Sequence, residues 1–518
     1  MFFSSLRFKV MTFFRLTQRI RHEMMKVLLV IMLSVSFYIF WTHRRGVSGD
    51  GALLEEGDAL SLETTTRDYW SRVDKYHTYS FDLSLDSSVL LVNNLTAYLS
   101  WLHHGVRVVS LPDHLSLEVI RSCRHLNKPP LLLHQHALEI SFPKTLREMS
   151  RANGVHFDPL FPSSPQVGIN GSASALDDSD DGPVLSYVEA YPYHAVYCTK
   201  KSNNKDPRSS REDWTRRDPY WNAVAEYLMA LPSWGSNMGL DFLAPASHPQ
   251  LKPFKRNPHR MNYLNRLTFL STDMDMSGSW PKDIVVPYST EVFSGTQRGQ
   301  IANSGKRPLL LYFAGGDNPK GGLRSRLDEQ FKLLLPPESA GVRFNLATGS
   351  VDRGQANYLD DMASSEFCLV VRGDTSSSRR LFTAIALGCI PVIISDWIQR
   401  PFERLIDYKK FAFSFPEAVA SNLILLREMI TFLRAVPQSK LSEMQDALRQ
   451  AKQLLWMPQL DGANNLEDTT PGTLLNAITM TLIEAFMTRV DYCRAQTLRL
   501  SLPLCRKIRR RMGSLAPF

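Results

Sequence analysis

The chain has 518 residues, of which 44% are apolar, 10% aromatic and 21% charged, which excludes a disordered or fibrous protein and calls for two or more folded units. Its net charge of +9 would suit a nucleic-acid groove, but much of it is loaded at the ends. Arg7, Lys9, Arg15, Arg19, Arg21 and Lys26 crowd one end, and Arg506, Lys507, Arg509, Arg510 and Arg511 the other, so no nucleic-acid partner is expected.

Residues 1–26 read as a basic cytosolic tail. Residues Val27 to Trp41 (VLLVIMLSVSFYIFW) carry no charge. The run is short against the roughly 20 residues a bilayer asks for, although Lys26 can snorkel to the interface. A single anchor over 27–43 is expected, with the basic flank holding the N-terminus in the cytosol. A cleaved signal peptide and a buried core helix are the other readings. Against cleavage, the flank Thr42-His43-Arg44-Arg45 offers no small-x-small site. Residues 44–67 form a polar, acidic stem. Two glycosylation sequons begin at Asn94 and Asn170.

An acceptor-side domain is assigned to 68–300, with short buried strands at 88–92 and 108–111. Residues 163–183 and 200–217 read as exposed loops. From 301 to 490 the pattern is cleaner. Strands are predicted at 309–313, 367–371 and 390–395, and helices at 323–334, 379–387, 423–433 and 440–456, with Ser439 as the last helix's N-cap. Such alternation builds βαβ units and a parallel sheet. Residues 491–518 read as a basic C-terminal tail. The six cysteines (Cys123, Cys198, Cys368, Cys389, Cys493, Cys505) lack metal-site spacing, and their pairing is not legible.

In an open α/β sheet ligands bind beyond the carboxyl ends of the strands. The loop after the 367–371 strand, Arg372-Gly373-Asp374-Thr375-Ser376-Ser377-Ser378-Arg379-Arg380, brings glycine, hydroxyls and three arginines together. Arginine's planar fork suits a diphosphate. An ordinary N-cap with surface arginines is the other reading. A second glycine turn, Ala314-Gly315-Gly316, precedes Arg324 and Arg326.

Residues 358–411, with F-C-L-V-V, G-D-T-S-S-S-R-R-L-F, G-C-I-P-V and P-F-E in order, resemble the exostosin-like glycosyltransferases, especially their plant cell-wall branch. Lys282-Asp283-Ile284-Val285-Val286-Pro287, Arg307-Pro308-Leu309-Leu310 and Val436-Pro437 through Met444-Gln445 are similar to further family motifs. The resemblance covers about 217–456. It implies a GT-B fold: two Rossmann-like domains facing across a cleft, the C-terminal one holding the nucleotide sugar. It also implies a Golgi type II membrane enzyme, inverting and metal-independent, using a UDP-linked donor and a polysaccharide or glycan acceptor. Association with itself or with other glycosyltransferases is in keeping with that placement.

By that resemblance Arg372, Ser377, Arg379 and Arg380 would lie at the donor diphosphate and Glu403 at the ribose, while the glycine turn offers Gly315 and Arg324 as further donor-binding candidates. Asp241, His248 and Glu189 are the candidates for the base that deprotonates the acceptor. Thr383 stands where the family often has an acid, and Phe242 where it has histidine. These departures motivate the alternative of an inactive lumenal scaffold for an active homologue. No G-x-S-x-G elbow supports a hydrolase. Asp273-Met274-Asp275 has the D-x-D form that binds manganese in another glycosyltransferase fold, but the neighbouring motifs are of the metal-independent type.

Overall fold

The β-branched and aromatic runs form parallel strands buried on both faces. The computed structural model describes residues 105–123, parts of 138–146, 158–160, 184–197, 217–237, 239–248, 251–252, 266–273, 283–290, 307–316, 322–347, 358–373, 375–457, 476–495 and 503–512. All of these fall in the second of two units, 82–518. The predicted anchor, the stem, the 88–92 strand, Asn94 and Asn170 lie outside them. No helix among the described residues is long and apolar enough to cross a membrane.

The first sheet contains β1 (Val106–Val109), β2 (Asp158–Leu160), β3 (Leu185–Val188), β4 (Phe242–Pro245), β5 (Thr268–Ser271) and β6 (Ile284–Val285), in the order β2-β1-β3-β4-β5-β6. Every pairing is parallel. The second sheet contains β7 (Leu309–Gly316), β8 (Val342–Ala347), β9 (Ser365–Val371), β10 (Ile390–Ile394) and β11 (Phe413–Phe415), in the order β11-β10-β9-β7-β8. It too is parallel throughout. In both sheets the second strand lies on one side of the first and the third on the other. This is the doubly wound arrangement, and the crevice where the strand order reverses is its binding place.

The first sheet is covered on one face by α1 (Leu117–Cys123), α2 (Pro192–Tyr197), α3 (Arg217–Met229) and α4 (Pro232–Asn237). Trp221 of α3 is fully buried; its indole N–H donates to the Leu251 carbonyl at 2.6 Å and its ring meets Phe269 edge-on. The other face packs Phe142 onto Tyr187, ring centroids 4.6 Å apart. In the second sheet α5 (Leu323–Lys332) follows β7, α6 (Tyr358–Ala363) precedes β9 and α7 (Arg380–Ala386) follows it. Arg307 closes the amino end of this sheet, donating to the carbonyls of Ala363, Ser365 and Leu387. α8 (Leu423–Arg434) is capped by the Asn422 side chain. α9 (Gln438–Leu454) starts at Gln438 with Pro437 at the cap position, so Ser439 lies in its first turn rather than capping it.

The C-terminal end departs from the expected basic tail. α10 (Ala477–Ala495) and α11 (Pro503–Met512) are joined by a Cys493–Cys505 disulfide, and Leu504, Lys507 and Ile508 are buried. Leucine and isoleucine at helical spacing give α11 an apolar face, and Arg506 beside them is exposed. α10 returns to the first sheet. Arg489 donates to the Leu240 carbonyl at 3.1 Å and to Thr268 Oγ1 at 2.8 Å, and the Leu504 N–H donates to Asn237. The stretch before 490 therefore does not belong wholly to the second sheet's lobe. A second disulfide, Cys368–Cys389, ties β9 to the residue preceding β10.

Candidate functional site

The carboxyl edges of the two sheets meet. Thr272 and Asp273 follow β5, and Ser376 and Ser377 follow β9. Ser377 places its hydroxyl 3.2 Å from the Thr272 carbonyl, and its N–H donates to Asp273 at 2.9 Å. Tyr288, just past β6, packs on Phe382 of α7 at 5.9 Å. Each sheet's crevice, where strand order reverses, lies on the carboxyl edge that takes part in this meeting.

In the second sheet that crevice lies between the ends of β7 and β9, and arginines fill it. Arg324 bridges it, donating to the Gly316 carbonyl on one side and the Val371 carbonyl on the other, each at 3.1 Å. Arg380 donates from Nε to the Ala314 carbonyl and stacks over the Phe313 ring, 5.2 Å from its centroid. A β-carbon at Gly315 would stand 2.5 Å from the Phe313 ring and 3.0 Å from the Arg380 guanidinium, so the glycine is what admits both groups. Arg372 continues from β9 and pairs with Glu417 at 2.6 Å. That carboxylate also accepts the Asp396 N–H, which fixes its orientation. Buried strand ends thus hold three guanidinium groups by carbonyls, an aromatic face and one carboxylate. Such held groups are preorganised for an anion.

In the first sheet the crevice lies between β1 and β3. Glu189, directly after β3, sits there 4% exposed and accepts the Ser110 O–H from the end of β1 at 2.7 Å. Three residues further on, α2 begins and carries His194. Its Nδ1 lies 3.2 Å from Glu139, a fully buried carboxylate that also accepts the Tyr193 N–H and the Ser247 O–H. Burial pushes the Glu139 carboxyl above its ordinary range, partly offset by His194. Asp218 and Asp283 are among the carboxylates near the first sheet that are paired elsewhere. Asp283, for example, accepts the Phe269 N–H and pairs with Lys252.

The Exostosin GT47 domain matches residues 106–430. The chain belongs to that family. The match starts well before the motifs that carry the resemblance from 217, and it includes β1 and the crevice residue Glu189. Among relatives, a probable arabinosyltransferase ARAD1 of Arabidopsis thaliana is 30% identical over 242 residues, 46% of this chain and 51% of that protein. A probable glucuronosyltransferase GUT1 of Oryza sativa subsp. japonica is 28% identical over 293 residues, 54% and 63%. A probable xyloglucan galactosyltransferase GT14 of Arabidopsis thaliana is 25% identical over 192 residues, 34% and 36%. The chain spans about half the length of the first of these. A solved glycosyltransferase from Rickettsia africae ESF-5 shows a slight likeness, with TM-score 0.29 and 10% identity over 67% of this chain and 93% of that one.

Within this GT47 fold the sequence-predicted residues separate. Gly315, Arg324, Arg372 and Arg380 gather at the β7–β9 crevice. Arg379 occupies the cap position of α7. Ser377 is taken up by contacts to the first sheet. Glu403 lies on the loop after β10, where it accepts the Arg400 N–H and pairs with its guanidinium. Its neighbour Phe402 is buried with φ +58°, a sharp turn fixed by packing. His248 stands three residues beyond β4, partly exposed, on the carboxyl edge. Asp275 and Asp374 lie outside the described residues, and no cluster of metal-ligating side chains occurs among the described ones.

Asp241 is set apart from the other base candidates. It precedes β4, so it stands at the amino edge of the sheet, opposite the crevices. Ser186 donates to it at 3.3 Å and the Arg489 charge acts on it. Burial, working against these, raises its pKa from 3.8 to about 6; the same burial lowers Arg489 to about 10. Because the folded pKa is raised, this group's contribution to stability is present below the unfolded value near 4 and is lost as pH climbs through 6. Asp241→Asn removes that dependence. Its melting temperature relative to wild type is expected to be higher at pH 7.5 than at pH 5, by the equivalent of about 1 kcal/mol. A difference of opposite sign in calorimetry would show that the carboxylate is folded as a stabilising anion.

Sequence reasoning missed Glu139 and His194. No local motif marks them, since 55 positions separate them; only the paired placement of a helical turn and α2 beside the crevice does so.

Proposed function

We propose that the protein is a glycosyltransferase that moves a sugar from a nucleotide-sugar donor, UDP-linked, to a hydroxyl of a polysaccharide or glycan acceptor, with inversion and without a metal ion. The observation that carries this is the arginine-filled crevice between β7 and β9 in a chain of the GT47 family. Arg324, Arg372 and Arg380 neutralise the departing diphosphate. Glu189, in the matching crevice of the first sheet, takes the proton from the acceptor hydroxyl. The acceptor oxygen then bonds to the anomeric carbon as the carbon–oxygen bond to the diphosphate breaks on the opposite face. The names of the relatives favour a cell-wall sugar such as arabinose, glucuronic acid or galactose. The Cys368–Cys389 and Cys493–Cys505 disulfides favour an oxidising lumen, in keeping with a Golgi type II protein anchored through 27–43.

The test is a donor screen on the full chain in detergent, with EDTA in one arm and manganese in the other, reading UDP release and acceptor products. Turnover of one UDP-sugar in EDTA is expected. If no donor is used in either arm and UDP gives no protection against thermal unfolding, the catalytic reading fails and the scaffold reading replaces it. Turnover only with manganese would overturn the metal-free mechanism.

A further inference from the structure

Asp273 is a fully buried carboxylate at the end of β5, the first acid of the D-x-D triplet. Its Oδ1 accepts the Ser376 O–H at 3.0 Å and its Oδ2 the Ser377 N–H at 2.9 Å. No lysine, arginine or histidine forms an ion pair with it among the described residues. A buried carboxylate without a counter-ion is costly unless its oxygens are hydrogen-bonded, and here both are bonded to one loop of the opposite lobe. That loop is pinned from other sides as well. Ser377 Oγ lies 3.3 Å from the Tyr288 hydroxyl, and the Ser395 O–H donates to the Ser376 carbonyl at 2.8 Å. Arg379 and Arg380 follow within four positions, the second reaching back to Ala314 of β7.

We infer that Asp273 is a positioning residue for the donor site: from the first sheet it holds the loop at 375–378, and so sets where Arg379 and Arg380 stand. Two of the loop's donors that face the first lobe, the Ser376 O–H and the Ser377 N–H, are spent on this carboxylate. The donor geometry of the second lobe therefore depends on an acid of the first, and a misplacement of about 1 Å in such a held group is enough to cost roughly 100-fold in rate. This rests on the glycosyltransferase reading for its catalytic consequence but not for the latch itself.

Full-length Asp273→Ala, Asp273→Asn and Ser376→Ala are compared with wild type by amide hydrogen exchange and by steady-state kinetics. Asp273→Ala is expected to speed exchange in peptides covering 375–380 and to raise the donor KM at least tenfold, leaving the acceptor KM within about twofold. The asparagine variant, which keeps one accepting oxygen, should recover most of the loss. Ser376→Ala should raise donor KM about threefold. Unchanged exchange in Asp273→Ala overturns the latch. Faster exchange with wild-type donor KM overturns the positioning role. If Asp273→Ala does not fold, an unchanged donor KM and exchange in Ser376→Ala overturn the inference. Should wild type itself turn over no donor, the glycosyltransferase reading fails, and the exchange arm still decides the latch.

Discussion

Replacing Arg380 by alanine is expected to lower kcat/KM for the donor by about 10²–10³-fold, the loss typical of removing one preorganised group from a developing negative charge. The guanidinium is held by the Ala314 carbonyl and the Phe313 face, so its position costs nothing at the moment the diphosphate departs. Lysine would retain the charge but neither the stacking nor the fork; Arg380→Lys should recover no more than about a tenth of the lost rate. Protection by UDP against thermal unfolding should disappear in the alanine variant. The half-buried position means some stability falls as well, so the melting temperature without ligand is the control. Activity within threefold of wild type would remove Arg380 from the donor site and leave it as a strut between β7 and α7.

Glu189→Gln is expected to lower kcat by about 10²–10⁴-fold, the range general-base removal covers, with donor KM and UDP protection nearly unchanged. Glutamine keeps the shape and can still meet the Ser110 hydroxyl, so the fold should survive. The split between kcat and KM separates this from the arginine variants, which act on donor binding. Asp241→Asn is the internal control. The Asp241 carboxylate stands at the amino edge of the sheet, away from the crevices assigned to the proposed transfer, and its variant should turn over at the wild-type rate. If Glu189→Gln kept its kcat, the base would have to come from elsewhere on the carboxyl edge, with the Glu139–His194 pair next in line.

Much of the second lobe was legible from sequence because its signals are local. FCLVV and IPVII are uninterrupted apolar runs of strand length, and α9 buries Leu441, Met444, Leu448 and Ala451 at helical spacing, so burial dictates the element wherever it sits. Glycine and arginine directly after a strand end mark the carboxyl edge for the same reason: chain direction alone puts them there. Membership of the exostosin family was legible too, in the order of motifs from 358 to 411. Yet local pattern placed the start of β1 two residues late and took α11 for part of a basic tail, since Leu504 and Ile508 reveal a buried stripe only once a partner surface exists.

Tertiary structure alone decided which polar residues come together. Asp241 and Glu189 look alike in sequence, each an acid beside a β-strand. One precedes its strand and the other follows it, and in parallel sheets that difference puts them on opposite edges of the lobe. The return of α10 to the first sheet then gave Asp241 a structural role near Arg489. Asp273, Ser376 and Ser377 come together across more than a hundred positions, as do Arg489 and Thr268 across 221. The sequence determined where strands end, because backbone propensity and burial act within a few residues. It did not determine which ends face each other, because that follows from how two sheets pack.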